Sequence, residues 1–417
     1  MNAPAAAPTT PRLFAAHGTT LAAHQKSYGP LPSIGAELIP MLTEAGLSGR
    51  GGAGFPSARK FAAVRGRKPV VAGNGAEGEP LSRKDTQLVK RAPHLVLDGL
   101  AAAAAAIGAD AVYLYLHADA VPTVNKALAE RRSVGLDRHR VAVIEAPDRF
   151  VAGEESAVTR YLEGGPPLPR DRTVLTAVSG VRGRPTLVNN VETLAHIALI
   201  ARFGPQWFRS VGDDDDPGTM LVTLSGALNH HGVVEVPTGI PLTDLLAGAG
   251  GTELSNLQAV LIGGYHGSWI AAAEFGGAHL SRSALKRFGA TPGAGIIHGL
   301  GTRDCGLEAT AEITAYLAEQ SARQCGPCLR GLPQLAELVG KLAQGRANDH
   351  LIKEIRRMTG LVEGRGACRH PDGTARMVRS ALTAFAGDID RHRRRQCVAA
   401  EFSCDANAIQ AGVFSNK

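Results

Sequence analysis

Short apolar runs alternate with segments of helical composition through the first half of the chain. Residues 34–45 suit a helix, Pro40 keeps it short or kinked, and Gly46 is its stop. Residues 69–72 read as a short buried strand, 93–106 as a helix and 111–116 as a strand. Residues 122–132 predict a helix with proline at its favoured first position, and 140–145 a further strand. Strands alternating with helices imply an α/β domain with a mainly parallel sheet. Near residue 217 the pattern changes to short strands at 220–224, 232–236 and 259–262, with a short helix at 242–247, which predicts a small α+β module. Beyond Gly301 it turns helical, at 308–320, 332–343, 350–358 and 373–392, and a helical bundle is expected.

The predicted layout is a loosely held arm (1–30), an α/β domain (31–216), an α+β module (217–290), a helical bundle (291–395) and a tail (396–417). The most apolar stretch, 95–116, is interrupted by Asp98 and Asp110, so it reads as a buried helix and strand and not as a membrane span.

Composition narrows the function. The formal charge of +7 raises nucleic acid as a partner, but the basic residues are scattered, apart from 391–395, and no recognised module accompanies them. An anionic cofactor or acidic redox partner accounts for the charge as well. All 6 cysteines lie after residue 300, which favours a local metal or redox site over a disulfide framework. With no charged-then-apolar leader, a cytoplasmic protein is expected, peripheral at most to a membrane redox complex.

The sharpest N-terminal feature is Gly49-Arg50-Gly51-Gly52-Ala53-Gly54-Phe55-Pro56, with Arg59 and Lys60 following. Closely spaced glycines expose backbone N–H groups that cradle phosphate; a plain tight turn is the alternative. Three more segments set amides or carboxylates beside turns. They are Asn74-Gly75-Ala76-Glu77-Gly78-Glu79-Pro80, with Lys84 and Asp85 beyond it, then Ala152-Gly153-Glu154-Glu155-Ser156, and Thr186-Leu187-Val188-Asn189-Asn190-Val191-Glu192-Thr193. Each alone also fits a capped helix start, Asn190 especially.

In this order the four segments resemble the FMN- and NADH-binding flavoprotein subunit of bacterial complex I and of related NAD-linked hydrogenases, from about residue 30 to 390. Pro93-His94-Leu95 with Gly99, Leu162-Glu163-Gly164 and a strand from Gly293 to Ile297 extend the match. The stretch from about 217 to 285 resembles that family's ubiquitin-like SLBB β-grasp domain, marked by 232–237 and Gly263-Gly264. The resemblance implies FMN held by Gly49, Arg50, Gly51, Gly52, Lys60, Asn74, Asn189 and Asn190, with Phe55 against NADH and Glu77, Glu79, Glu154 and Glu155 near flavin and nicotinamide. It implies hydride transfer from NADH and one-electron exit through a [4Fe-4S] cluster to a small iron–sulfur partner subunit or a ferredoxin.

Departures from the family pattern bear on each cofactor. Ala76 stands for a usual Asp and Phe150 for a common Tyr, each removing a polar contact of roughly 1 kcal/mol. Ala63 and Leu175 stand where the family stacks NADH on phenylalanine, with Phe61 as a stand-in near the first. Ala322 replaces the first cluster cysteine, while Cys325, Cys328 and Cys368 match the other three. Three options follow: a fourth ligand from Cys305, Cys397, Cys404 or His370; a [3Fe-4S] or open-iron cluster; or no cluster and a structural bundle. Cys325-Gly326-Pro327-Cys328 also resembles a thioredoxin-like pair. His230 and His231 read as solvated, 213–216 as a linker, and 391–395 as an exposed helix end or a dock for an acidic ferredoxin. The competing functions are a ferredoxin-linked flavoprotein that does not use NADH and a non-catalytic binding paralogue.

Overall fold

The computed structural model describes residues 11–171 and 174–399. Helices α1 (Leu21–Tyr28), α2 (Leu38–Ala45) and α3 (Ser57–Ala63) precede the first sheet strand, β1 (Val70–Gly75). Then come α4 (Lys84–Arg91), α5 (Pro93–Ile107), β2 (Ala111–Leu116), α6 (Val121–Ser133), β3 (Val141–Glu145), α7 (Glu155–Leu162), β4 (Thr186–Asn190) and α8 (Val191–Arg209). The four strands are parallel in the order β3-β2-β1-β4. Proline opens α5 and left-handed Gly108 closes it, as the sequence indicates. A Cβ on Gly99 would stand 1.8 Å from the Leu194 carbonyl oxygen, so only glycine lets α5 lie this close to α8. Asp98, the charge inside the apolar run, is buried and meets Arg131 at 2.7 Å and His24 at 2.7 Å, with Arg202 also bonded.

A two-residue ribbon, β5 (Gly212–Asp213) with β6 (Asp216–Pro217), leads into the second sheet. Its elements are β7 (Thr219–Gly226), β8 (Gly232–Pro237), the one-turn helix α9 (Leu242–Asp244), β9 (Leu257–Ile262), β10 (Ser268–Ala271), the one-turn helix α10 (Arg282–Leu285) and β11 (Ile296–Gly301). The strand order is β10-β9-β11-β7-β8. The bundle follows as α11 (Gly306–Glu319), α12 (Leu332–Ala343), α13 (Asp349–Val362), α14 (His370–Ala384) and α15 (Ala386–Arg393).

Four expectations need correction. The N-terminal arm is docked from residue 11 onward: Leu13 is fully buried, and its amide and that of Arg12 donate to the Glu235 carboxylate. The strand expected from Gly293 begins at Ile296, because Gly293 and Gly295 have φ of 55° and 68° and form the turn before it. The 291–395 range expected for the bundle therefore opens with a central strand of the preceding sheet, and the bundle starts at Gly306. The helix expected over 373–392 is two helices broken at Phe385, whose buried ring packs on Trp269 at 5.1 Å and against Gly306. Among the described residues no helix is long and apolar enough to cross a membrane.

Candidate flavin and iron–sulfur site

β1 is the first strand of its sheet, with β2 on one side and β4 on the other, so the chain reverses its winding between β1 and β4. In open parallel sheets ligands bind outside the carboxyl ends of the strands at such a switch point. Asn74 and Asn190 are register partners at those ends. The other singled-out segments gather there. A Cβ on Gly51 would stand 3.0 Å from Asn190 Cβ. Asn74 Nδ2 donates to the Gly153 carbonyl (2.9 Å), and Lys60 Nζ reaches Glu155 Oε2 (3.1 Å).

The glycine loop is a turn between α2 and α3, closed by the Gly49 amide donating to the Phe55 carbonyl (2.9 Å). Gly52 and Gly54 have φ of 101° and 62°, which glycine adopts without strain. Among the described residues, the Gly51, Gly52 and Ala53 amides take no protein acceptor. Such a run of unspent N–H groups suits an anion. Arg50 does not join it: its buried guanidinium meets Asp216 Oδ1 (3.0 Å) and the Pro217 carbonyl (2.8 Å). The 213–216 segment, expected as a plain linker, thus supplies a buried counter-ion. Arg282 of α10 packs across the loop, so close that a Cβ on Gly54 would meet its Cζ at 1.9 Å.

The asparagines divide the work. Asn190 caps α8, its Oδ1 accepting from the Glu192 amide (3.0 Å), while its Nδ2 donates to Asp85 Oδ2 (2.6 Å). Asn189 is buried and its Nδ2 has no acceptor among the described residues. An unpaired buried donor is costly, so this atom points to a ligand that supplies the acceptor. Beneath lies a network that joins residues of two of the singled-out segments, a pairing the sequence did not reveal: buried Lys84 donates to Asp85 Oδ1 (2.7 Å) and Glu192 Oε2 (2.8 Å), and Glu192 Oε1 accepts the Leu221 amide (2.8 Å). Burial opposes the Lys84 charge, but Asp85, Glu192 and Glu77 outweigh it and raise its pKa. The adjacent Lys84-Asp85 pair was the available signal.

The carboxylates differ from one another. Glu77 accepts from Ser82 Oγ (2.5 Å) and the Thr86 amide (2.9 Å) and so fixes the start of α4. Glu154 caps α7 by accepting the Ser156 and Ala157 amides. Glu155 is half-buried beside Lys60. Glu79 faces the second sheet, where its Oε2 accepts the Tyr265 amide (2.9 Å) and lies against Gly264. Burial raises its pKa to about 8, against the Tyr265 amide, which lowers it. Phe55 is exposed, with the Arg59 guanidinium 5.6 Å from its ring centre. Phe61 is buried in the core, so it cannot stand in for a stacking ring. Leu175 is 70% exposed.

In the bundle, Cys328 is buried beside Cys325 and Cys368, and burial followed by these two thiols pushes its pKa up to about 12. A thiol so raised is a poor redox nucleophile unless a metal takes the proton's place. No strand precedes the Cys325–Cys328 pair, which follows α11 and enters α12, unlike a thioredoxin-like motif. Three of the four residues considered as a further ligand have other partners. His370 spends its nitrogens on His266 (3.1 Å) and the Leu317 carbonyl (2.8 Å). Cys305 and Cys397 adjoin His392. Cys404 lies outside the described residues.

Residues 42–199 match the family described as the Nuo51 FMN-binding domain, 221–259 the SLBB domain, and 308–392 the NADH-ubiquinone oxidoreductase-F iron-sulfur binding region. The second NADH-quinone oxidoreductase F subunit of Rhizobium meliloti (strain 1021) is 30% identical over 379 residues, covering 87% of this chain and 90% of that protein. The corresponding F subunit of Mycobacterium tuberculosis (strain ATCC 25618 / H37Rv) is 30% identical over 377 residues, covering 85% and 84%. A chain of the NAD+-reducing [NiFe]-hydrogenase in its H2-reduced state aligns over 86% of this chain with a TM-score of 0.78 at 29% identity. This chain spans only 62% of that one. The three matched regions fall on the parallel sheet, the second sheet and the bundle in turn, and the chain belongs to the family of NADH-quinone oxidoreductase F subunits.

Proposed function

We propose that this chain is an FMN-dependent oxidoreductase subunit that takes hydride from NADH and passes single electrons through an iron–sulfur cluster to a partner protein. The carrying observation is the convergence of the glycine loop, Asn74, Asn190 and the Lys60–Glu155 pair at the β1/β4 switch point. The Gly51, Gly52 and Ala53 amides, with Lys60, suit the flavin phosphate, and Asn189 Nδ2 suits an acceptor on the same ligand. A bound flavin supplies the conversion of a two-electron donor into one-electron steps. Phe55 and Arg59 offer an exposed stacking edge for the nicotinamide nucleotide.

Cys325, Cys328 and Cys368 would hold the cluster as thiolates. Electrons then leave toward a small iron–sulfur partner or a ferredoxin, in a cytoplasmic assembly peripheral to a membrane complex. The test is spectroscopic. Protein purified anaerobically and loaded with FMN should be yellow and bleach on NADH addition. A colourless protein that takes up no FMN would sink the reading, and a yellow protein reduced by ferredoxin but not NADH would move it to the ferredoxin-linked alternative.

A further inference from the structure

Cys305, His392 and Cys397 are all buried, at 4%, 1% and 8% exposure, and their ligand atoms lie within 4.8 Å of one another. The three come from the two ends of the bundle's sequence. Cys305 immediately precedes α11, His392 lies in the last turn of α15, and Cys397 follows that helix. Cys305 Sγ is 3.5 Å from His392 Nε2, and Cys397 Sγ is 3.7 Å from Glu308 Oε1 in the first turn of α11. The other imidazole nitrogen, Nδ1, is 3.0 Å from the Leu342 carbonyl, an acceptor only. Nδ1 therefore carries the proton, and the Nε2 lone pair faces the two sulfurs.

We infer that Cys305, His392 and Cys397 form a structural site for a divalent cation of the zinc class, with the Glu308 carboxylate, which lies 3.7 Å from Cys397 Sγ but outside the mutually close group, turning in as fourth ligand. Zinc–sulfur and zinc–nitrogen bonds of about 2.3 and 2.0 Å at a tetrahedral angle set a sulfur-to-nitrogen edge of about 3.5 Å. The observed Cys305–His392 separation equals it. Two thiolates, one imidazole oriented by a carbonyl and one carboxylate are a donor set that favours zinc over magnesium or calcium. The site is separate from the cluster thiols. The mutually close group of Cys305, His392 and Cys397 contains none of Cys325, Cys328 and Cys368. A metal here ties the chain after α15 to the start of α11 and closes the bundle on itself.

The experiment uses the full chain, purified anaerobically under reducing conditions, with zinc and iron measured together by elemental analysis. One zinc per chain that survives dialysis is expected. It should be lost in Cys397→Ser and kept in Cys328→Ser. Cobalt exchanged into the wild-type chain should give thiolate charge-transfer bands, a readout independent of whether a variant folds. Cobalt bands that persist in Cys397→Ser, zinc that dialyses away from the wild type, or a Cys305–Cys397 disulfide in the reduced preparation would each overturn the assignment.

Discussion

Arg50 Nη1 lies 3.0 Å from Asp216 Oδ1, with both side chains buried, and this pair fastens the glycine loop to the ribbon that leads into the second sheet. The arginine amid the glycines thus holds the loop in place from below. Asp216→Ala strands a buried guanidinium, which typically costs about 3–5 kcal/mol. Denaturant unfolding of the flavin-free chain should report a loss of that order, and an unchanged midpoint would show that the pair carries no weight.

Lys60 and Glu155 are 3.1 Å apart and only partly buried, so their mutual attraction is small. If Lys60 serves the flavin phosphate, Lys60→Ala should lower FMN occupancy about tenfold, the worth of roughly one charge-assisted hydrogen bond. Glu155→Gln should leave phosphate binding close to wild type. Released flavin fluorescence measures both. Equal losses in the two variants would assign Lys60 to the ion pair instead.

Cys328 is buried and interacts with both Cys325 and Cys368, so Cys328→Ser should remove iron and acid-labile sulfide together after anaerobic purification. Parent protein devoid of both would eliminate the cluster.

Glu79 has a pH signature. Its folded pKa, raised by burial to about 8 from an ordinary 4.5, means that the folded chain holds a proton the unfolded chain has released between those values. The associated stability is complete below the unfolded value and is lost as pH rises toward 8. Glu79→Gln should flatten the unfolding free energy across this window by at most one proton's slope, about 1.4 kcal/mol per pH unit. Identical slopes for parent and variant would place Glu79 in water.

The sequence carried most of the scaffold. Strand β2 and helix α12 fall on their expected bounds, because apolar runs between glycine or proline punctuation mark such elements well. Asn190 capped a helix as its residue type and context indicated. The late start of β11 was local, set by the left-handed Gly293 and Gly295, but for Arg50, Phe61, Leu13 and Cys397 a contact far along the chain decided the outcome. Arg50 looked like a phosphate ligand until Asp216, distant in sequence, claimed it. Phe61 sits near the expected stacking position, but the face of α3 that carries it turns inward. The docking of Leu13 depends on Glu235, and the return of Cys397 depends on Cys305 and His392, none of which local composition reveals.

β11 has a consequence for dissection of the molecule. It pairs with β9 on one side and β7 on the other, yet it is the last strand of its sheet to be made. A fragment ending near residue 290 would keep the other four strands but split them into two hairpins, each with a raw, unpaired apolar margin. Such a piece is predicted to clump when expressed alone, whereas extending it through Gly301 restores the missing rung.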